Sequence, residues 1–151
     1  MGLTNAETKY LEAAPMTPVQ IEAVKNSWSK VTPIADQASV LFYERLFTLD
    51  PSLRVLFKPD MTEQRKLLMT MLGTAVAGLD RLDTIVPAIQ ALGRRHKGYG
   101  VTEANYATVG QALLWTLEQG LGEAFTPAVR EAWTATFVLV SDTMKTAARA
   151  A

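Results

Sequence analysis

The 151-residue sequence contains no cysteine, so disulfide frameworks, thiolate metal sites and cysteine nucleophiles are all excluded. Thiol usage therefore gives no hint of compartment. Histidine is nearly absent too: His96 is the only one, and a zinc ion held by several imidazoles cannot form. Excess charge of either sign is missing, because 15 Lys plus Arg balance 15 Asp plus Glu without a long basic run. That balance removes the electrostatic footprint of a nucleic-acid or anionic-membrane binder. Long apolar runs are lacking as well. The longest stretch without a charge, Ala104 to Leu117, has 14 residues, short of the ~20 apolar residues that a membrane-spanning helix needs. No membrane span is expected. The first 15 residues carry Glu7, Lys9 and Glu12 and lack the basic start and apolar centre of a secretory signal, which makes the cytoplasm the expected location.

What is present suits one globular domain. Apolar residues make up 48% of the chain and charged residues 20%, enough to bury a core within a single fold. Residues 1–16 show only a weak helical pattern, in Leu3, Tyr10 and Leu11, and read as an N-terminal extension; 17–151 read as the domain. Four sites pair a capping residue with proline: Thr17-Pro18, Thr32-Pro33, Asp50-Pro51 and Thr126-Pro127. Each predicts a helix start, since the side-chain oxygen accepts from a first-turn N–H and proline loses no intrahelical bond there. Gln20 completes a capping box with Thr17.

Behind these starts the apolar residues recur with helical spacing. The series are Ile21, Val24, Trp28; Val40, Tyr43, Phe47; Met61, Gln64, Leu68, Met71, Ala75; Leu82, Val86, Ile89, Leu92, His96; Tyr106, Val109, Leu113, Leu117; and Val129, Trp133, Phe137, Val140, Met144. Alternation of period two is not sustained, and Gly78, Gly98, Gly100, Gly120 and Gly122 fall near the junctions. The pattern predicts an all-α fold of roughly seven helices.

His96 continues the apolar face of its helix within Leu92-Gly93-Arg94-Arg95-His96-Lys97. A core-facing imidazole needs a partner, and two readings stand side by side: a buried histidine satisfied by a backbone carbonyl, or an axial metal ligand. One nitrogen cannot hold a bare zinc ion, but it suffices for a haem, whose porphyrin supplies four more. Tyr43 and Gln64 place polar groups on otherwise apolar faces, each costly to bury alone. They are either ordinary core and surface residues or the polar part of a ligand pocket.

With these residues in order, the chain resembles the globin family. Phe57, 14 residues after Tyr43, stands at the spacing of the family's haem-packing phenylalanine, and Gln64 and His96 fall at its distal and proximal positions. Leu92-Gly93-Arg94-Arg95-His96 and Ala124-Phe125-Thr126-Pro127-Ala128-Val129-Arg130-Glu131-Ala132-Trp133 look like neuroglobin, while Tyr43, Gln64 and Leu68 resemble bacterial single-domain globins and the haem domain of flavohaemoglobins. The resemblance spans about Met16 to Ala147. It implies a globin fold of seven to eight helices around a pocket for haem b, iron protoporphyrin IX. His96 would be the proximal iron ligand, and Tyr43, Gln64 and Leu68 would form the distal side. Phe57, Leu92, Val101, Tyr106, Val109 and Phe137 would line the cofactor. Arg95 and Lys97 are either partners of the haem propionates or solvated helix-end cations.

Two departures from the family stand out. Gln64 replaces the distal histidine common in vertebrate globins, so closure of the iron by two histidines is impossible. Tyr106 matches the tyrosine of a flavohaemoglobin hydrogen-bonded triad, but the matching glutamate position is Ala148, and no flavin or nicotinamide domain is expected after residue 151. The resemblance implies a haem protein that reversibly binds dioxygen or another small diatomic ligand; as donors to a bound ligand, Tyr43 and Gln64 predict high affinity and slow release, and balanced charge with scattered apolar residues predicts a monomer. The alternative is a nitric oxide dioxygenase served by a separate reductase.

Overall fold

Thr17 accepts a hydrogen bond from the Gln20 N–H at 3.1 Å while the Gln20 side chain accepts one from the Thr17 N–H at 3.1 Å, and Pro18 opens the helix that follows. The first capping box read from the sequence is therefore formed. The computed structural model describes residues 16–150, and the expectations for Leu3, Tyr10 and Leu11 lie outside them. Among the described residues six α-helices follow in order: α1 (Pro18–Val31), α2 (Ala35–Leu49), α3 (Thr62–Ala77), α4 (Leu82–Gly98), α5 (Glu103–Leu121) and α6 (Pro127–Arg149). Short 3₁₀ turns occupy Thr32–Ile34, Pro51–Leu56 and Gly122–Ala124, and no strand occurs among the described residues.

Among the described residues the α-helices number six, because two of the four proline signals start 3₁₀ turns. At Thr32-Pro33 the threonine hydroxyl donates back to the Ser29 carbonyl at 3.1 Å, so it does not cap the following turn. The chain passes from α1 to α2 almost without a break. Asp50 does cap, accepting from the Ser52 N–H at 3.1 Å, but the turn behind it runs only to Leu56 before Phe57 becomes extended. Thr126 caps α6 through the Val129 N–H at 3.3 Å, as its sequence predicts.

The core lies where α1, α2, α5 and α6 face one another. Val24, Phe42, Leu46, Ala112, Leu117 and Trp133 are buried there. Trp133 resolves its polar edge by donating from the indole N–H to the Ser27 hydroxyl at 2.8 Å, and that hydroxyl donates in turn to the Ala23 carbonyl at 2.7 Å. A second apolar cluster, centred on Ile85, Ile89, Tyr106 and Met144, sits between α4, α5 and α6.

Glycine permits the closest helix contact. A Cβ on Gly93 would stand 2.6 Å from Met144 Cα and closer still to the Met144 carbonyl oxygen, so the α4 backbone lies directly on the α6 backbone. Because the obstructing atoms are main chain, they cannot swing aside. Gly93→Ala should lower stability by about 2–3 kcal/mol, the upper part of the overpacking range. Chemical denaturation measures it, and an unchanged midpoint would contradict the contact.

Candidate functional site

The site begins with two helices that share a junction and little else. At the turn between α3 and α4, an added Cβ on Gly78 would collide with the Ile85 side chain, so the helices are pressed together there. Beyond it α3 packs on α2 and α1, whereas α4 packs on α6. Gln64 stands on α3 and His96 on α4, so the two sides of the candidate site belong to different helices.

On the α4 side, His96 Nδ1 lies 2.9 Å from the Leu92 carbonyl oxygen, one turn earlier. A carbonyl only accepts, so Nδ1 carries the proton and Nε2 of the neutral ring is left with its lone pair. Burial pushes the His96 pKa down; the Leu92 bond opposes that, and the Arg95 charge adds a smaller push in the same downward direction. The neutral imidazole, the form that coordinates a metal, is favoured.

On the other side, Gln64 Nε2 donates to the Tyr43 hydroxyl oxygen at 3.0 Å, joining α3 to α2. Tyr43 is 6% exposed and half-enclosed by rings: Phe42 edge-on at 5.0 Å between centroids, Phe57 edge-on at 5.5 Å and Phe47 tilted at 6.1 Å. Burial raises the Tyr43 pKa, and the Gln64 bond offsets part of that rise. Just before α3, Asp60 accepts from the Thr62 N–H at 3.0 Å and hydroxyl at 2.7 Å, a local turn that precedes the N-cap Met61.

The remaining predicted residues divide between the two apolar clusters. Phe57, Leu68 and Val109 pack at the edge of the main core, and Leu68 also borders a small apolar cavity of about 20 Å³ with Trp28, Phe42 and Leu113. Leu92, Val101 and Tyr106 belong to the cluster behind α4, and Phe137 touches both. Phe57, Leu68, Leu92, Val101, Val109 and Phe137 are all half-buried, while Tyr106 is buried. Of the two propionate candidates, Lys97 donates to the Ala148 carbonyl at 3.0 Å and Arg95 is exposed.

Sequence reasoning missed three supports. Phe47 stacks edge-on against Phe57 at 5.5 Å, and Arg54 ties down the corner behind it by donating to the Lys58 and Pro59 carbonyls, both at 3.0 Å. Gly110 leaves room for the Phe137 ring, whose Cε2 would stand 2.8 Å from an added Cβ. Phe47 carried a signal as the last of the Val40, Tyr43, Phe47 series, and Gly110 as a glycine inside an otherwise good helix pattern.

These residues fit a haem. Among the described residues no group of three His, Cys, Asp or Glu could hold a bare metal ion. One free imidazole nitrogen beside a set of half-buried apolar side chains is instead the donor set for a flat, apolar cofactor that brings most of its own ligands.

Comparison with known proteins agrees. The family described as Globin matches residues 40–144. A neuroglobin from Danio rerio is 30% identical over 135 residues, covering 80% of this chain and 85% of the relative. A neuroglobin from Chaenocephalus aceratus is 32% identical over 126 residues, covering 74% and 79%. Among solved structures, a hexacoordinated haem protein from an anhydrobiotic tardigrade superposes with a TM-score of 0.82 at 19% identity, covering 89% of this chain and 96% of that one, which shows a shared fold.

The buried phenol yields a pH prediction. Tyr43 should keep its proton beyond the usual tyrosine value of about 10, and the absorbance titration of wild type minus Tyr43→Phe should show a component with a midpoint above it. The unfolded chain loses this proton first and then binds fewer protons than the native state, so stability falls as pH rises through that window. A Tyr43 component at or below the usual value would contradict its burial.

Proposed function

Given that the chain belongs to the globin family, we propose that it holds haem b through His96 and reversibly binds dioxygen, or another small diatomic ligand, beside Tyr43 and Gln64. The observation that carries this reading is the Gln64–Tyr43 hydrogen bond, which joins two polar side chains on otherwise apolar helix faces. When bound, ferrous haem supplies the iron and places negative charge on the outer atom of a diatomic ligand.

The chain's residues do the rest. The Leu92 carbonyl holds the His96 ring in one tautomer and one orientation, which keeps Nε2 available without further rearrangement. Phe57, Phe137, Leu92 and Val101 offer apolar surface that excludes water from the cofactor faces. Because the Tyr43 oxygen accepts from Gln64, its own proton is left to donate to a ligand. The second Gln64 amide hydrogen is a further donor. Ligation by two histidines is closed to this chain, whose single histidine is His96.

The nitric oxide dioxygenase reading, with a separate reductase, draws on the same pair together with Tyr106. Weighing against it, position 148 is alanine, so no carboxylate from there meets Tyr106 or His96. Oxygen binding is the function favoured here.

A charge-assisted bond from a buried donor contributes about 1–2 kcal/mol to holding the ligand, and each 1.4 kcal/mol is roughly tenfold in rate. Tyr43→Phe should therefore speed oxygen dissociation by roughly 5- to 30-fold, read by stopped-flow displacement with carbon monoxide. An unchanged rate would remove Tyr43 from ligand stabilisation.

A further inference from the structure

The last turn of α6 reaches back to the turn that carries His96. Lys97, the residue after the histidine, donates from Nζ to the Ala148 carbonyl at 3.0 Å, bridging 51 residues of sequence. One residue on, the Arg149 guanidinium forms a two-pronged bridge with the Glu103 carboxylate at the start of α5, with the Nε prong at 2.9 Å. Lys145 sets its ammonium over the Tyr106 ring, 5.4 Å from the centroid. One turn before Lys97, Gly93 lays the α4 backbone on Met144. Four contacts thus converge from residues 144–149 on the end of α4 and the first turns of α5.

The physics favours this arrangement. The last carbonyls of a helix have no intrahelical partner and carry the negative end of its dipole, so an ammonium donating to one of them is stabilised there. Each exposed pair is weak alone, but together they restrain one element from several directions. The chain just after Lys97 is itself fixed: the Tyr99 N–H donates to the Arg95 carbonyl and the Val101 N–H to the His96 carbonyl, both at 3.1 Å, and Gly100 turns at φ +92° against Leu56. Rotation of the last turn of α4 would have to break the Lys97 bond.

We propose that the C-terminal turn of α6 is a clamp that sets the direction of the His96 ring, with Lys97 as its positioning residue. The inference rests on the reading of His96 as the iron ligand.

The test compares Lys97→Met, Lys97→Arg and Arg149→Gln with wild type, in the chain as purified and after loading with haem or with haem dimethyl ester, whose propionates are masked. Two readouts are followed: amide hydrogen exchange at Tyr99 and Val101, and the iron–histidine stretching band of the ferrous protein. Lys97→Met and Arg149→Gln should speed exchange at both amides several-fold and shift the band with either cofactor, while Lys97→Arg stays close to wild type. Unchanged exchange and band in Lys97→Met would overturn the clamp. So would an effect seen with haem and lost with its dimethyl ester, which would assign Lys97 to a propionate. A wild-type chain that takes up neither cofactor would contradict the haem reading instead, and exchange would still report on the clamp.

Discussion

The approach of Gly93 to the α6 backbone is the constraint from which the rest of the site follows. With no side chain between them, α4 and α6 lie close enough that α4 is committed to α6 along much of its length. It meets the end of α3 at the Gly78–Ile85 junction. Helical periodicity puts Leu92 and His96 one turn apart on the flank of that contact, which is the geometry the Leu92–His96 hydrogen bond needs. A bulkier residue at position 93 would move the histidine and its carbonyl partner together.

The two sides are built by different means. The His96 side is held by backbone contact and by bonds to helix-end carbonyls, which fix direction. The Tyr43–Gln64 side is held by rings, with Phe42, Phe47 and Phe57 packed around a phenol whose oxygen has one protein donor and whose proton is left over. Burial keeps that phenol protonated and therefore a donor. The division suits a site in which the metal ligand must stay still and the other side must offer hydrogen bonds to a small guest.

The sequence makes the helices legible because their starts are chemical. Thr17 and Thr126 cap as their side chains dictate, and the 3.6-residue apolar spacing continues from them. The prolines after Thr32 and Asp50 misled on helix number because a 3₁₀ turn accepts the same residues as an α-helix start. His96, Tyr43 and Gln64 were legible as polar groups on apolar faces, but their partners were not. The Leu92 carbonyl, the 21-residue step from Tyr43 to Gln64 and the Lys97–Ala148 bond depend on how helices cross, which periodicity does not encode. Gly93 stood within the quoted motif, yet only packing shows that it must be glycine.

The central claim is that the free nitrogen of His96 ligates haem iron and that Tyr43 and Gln64 donate to its small guest. Its most direct test is to add haem to the purified chain, reduce it, and record the visible spectrum before and after admitting oxygen, for wild type and His96→Gly. The account predicts that wild type gives a histidine-ligated ferrous spectrum that converts to a stable oxygenated one. It also predicts that His96→Gly loses both spectra until free imidazole is supplied. A wild-type chain that takes up no haem, or a His96→Gly chain with an unchanged spectrum, would contradict it.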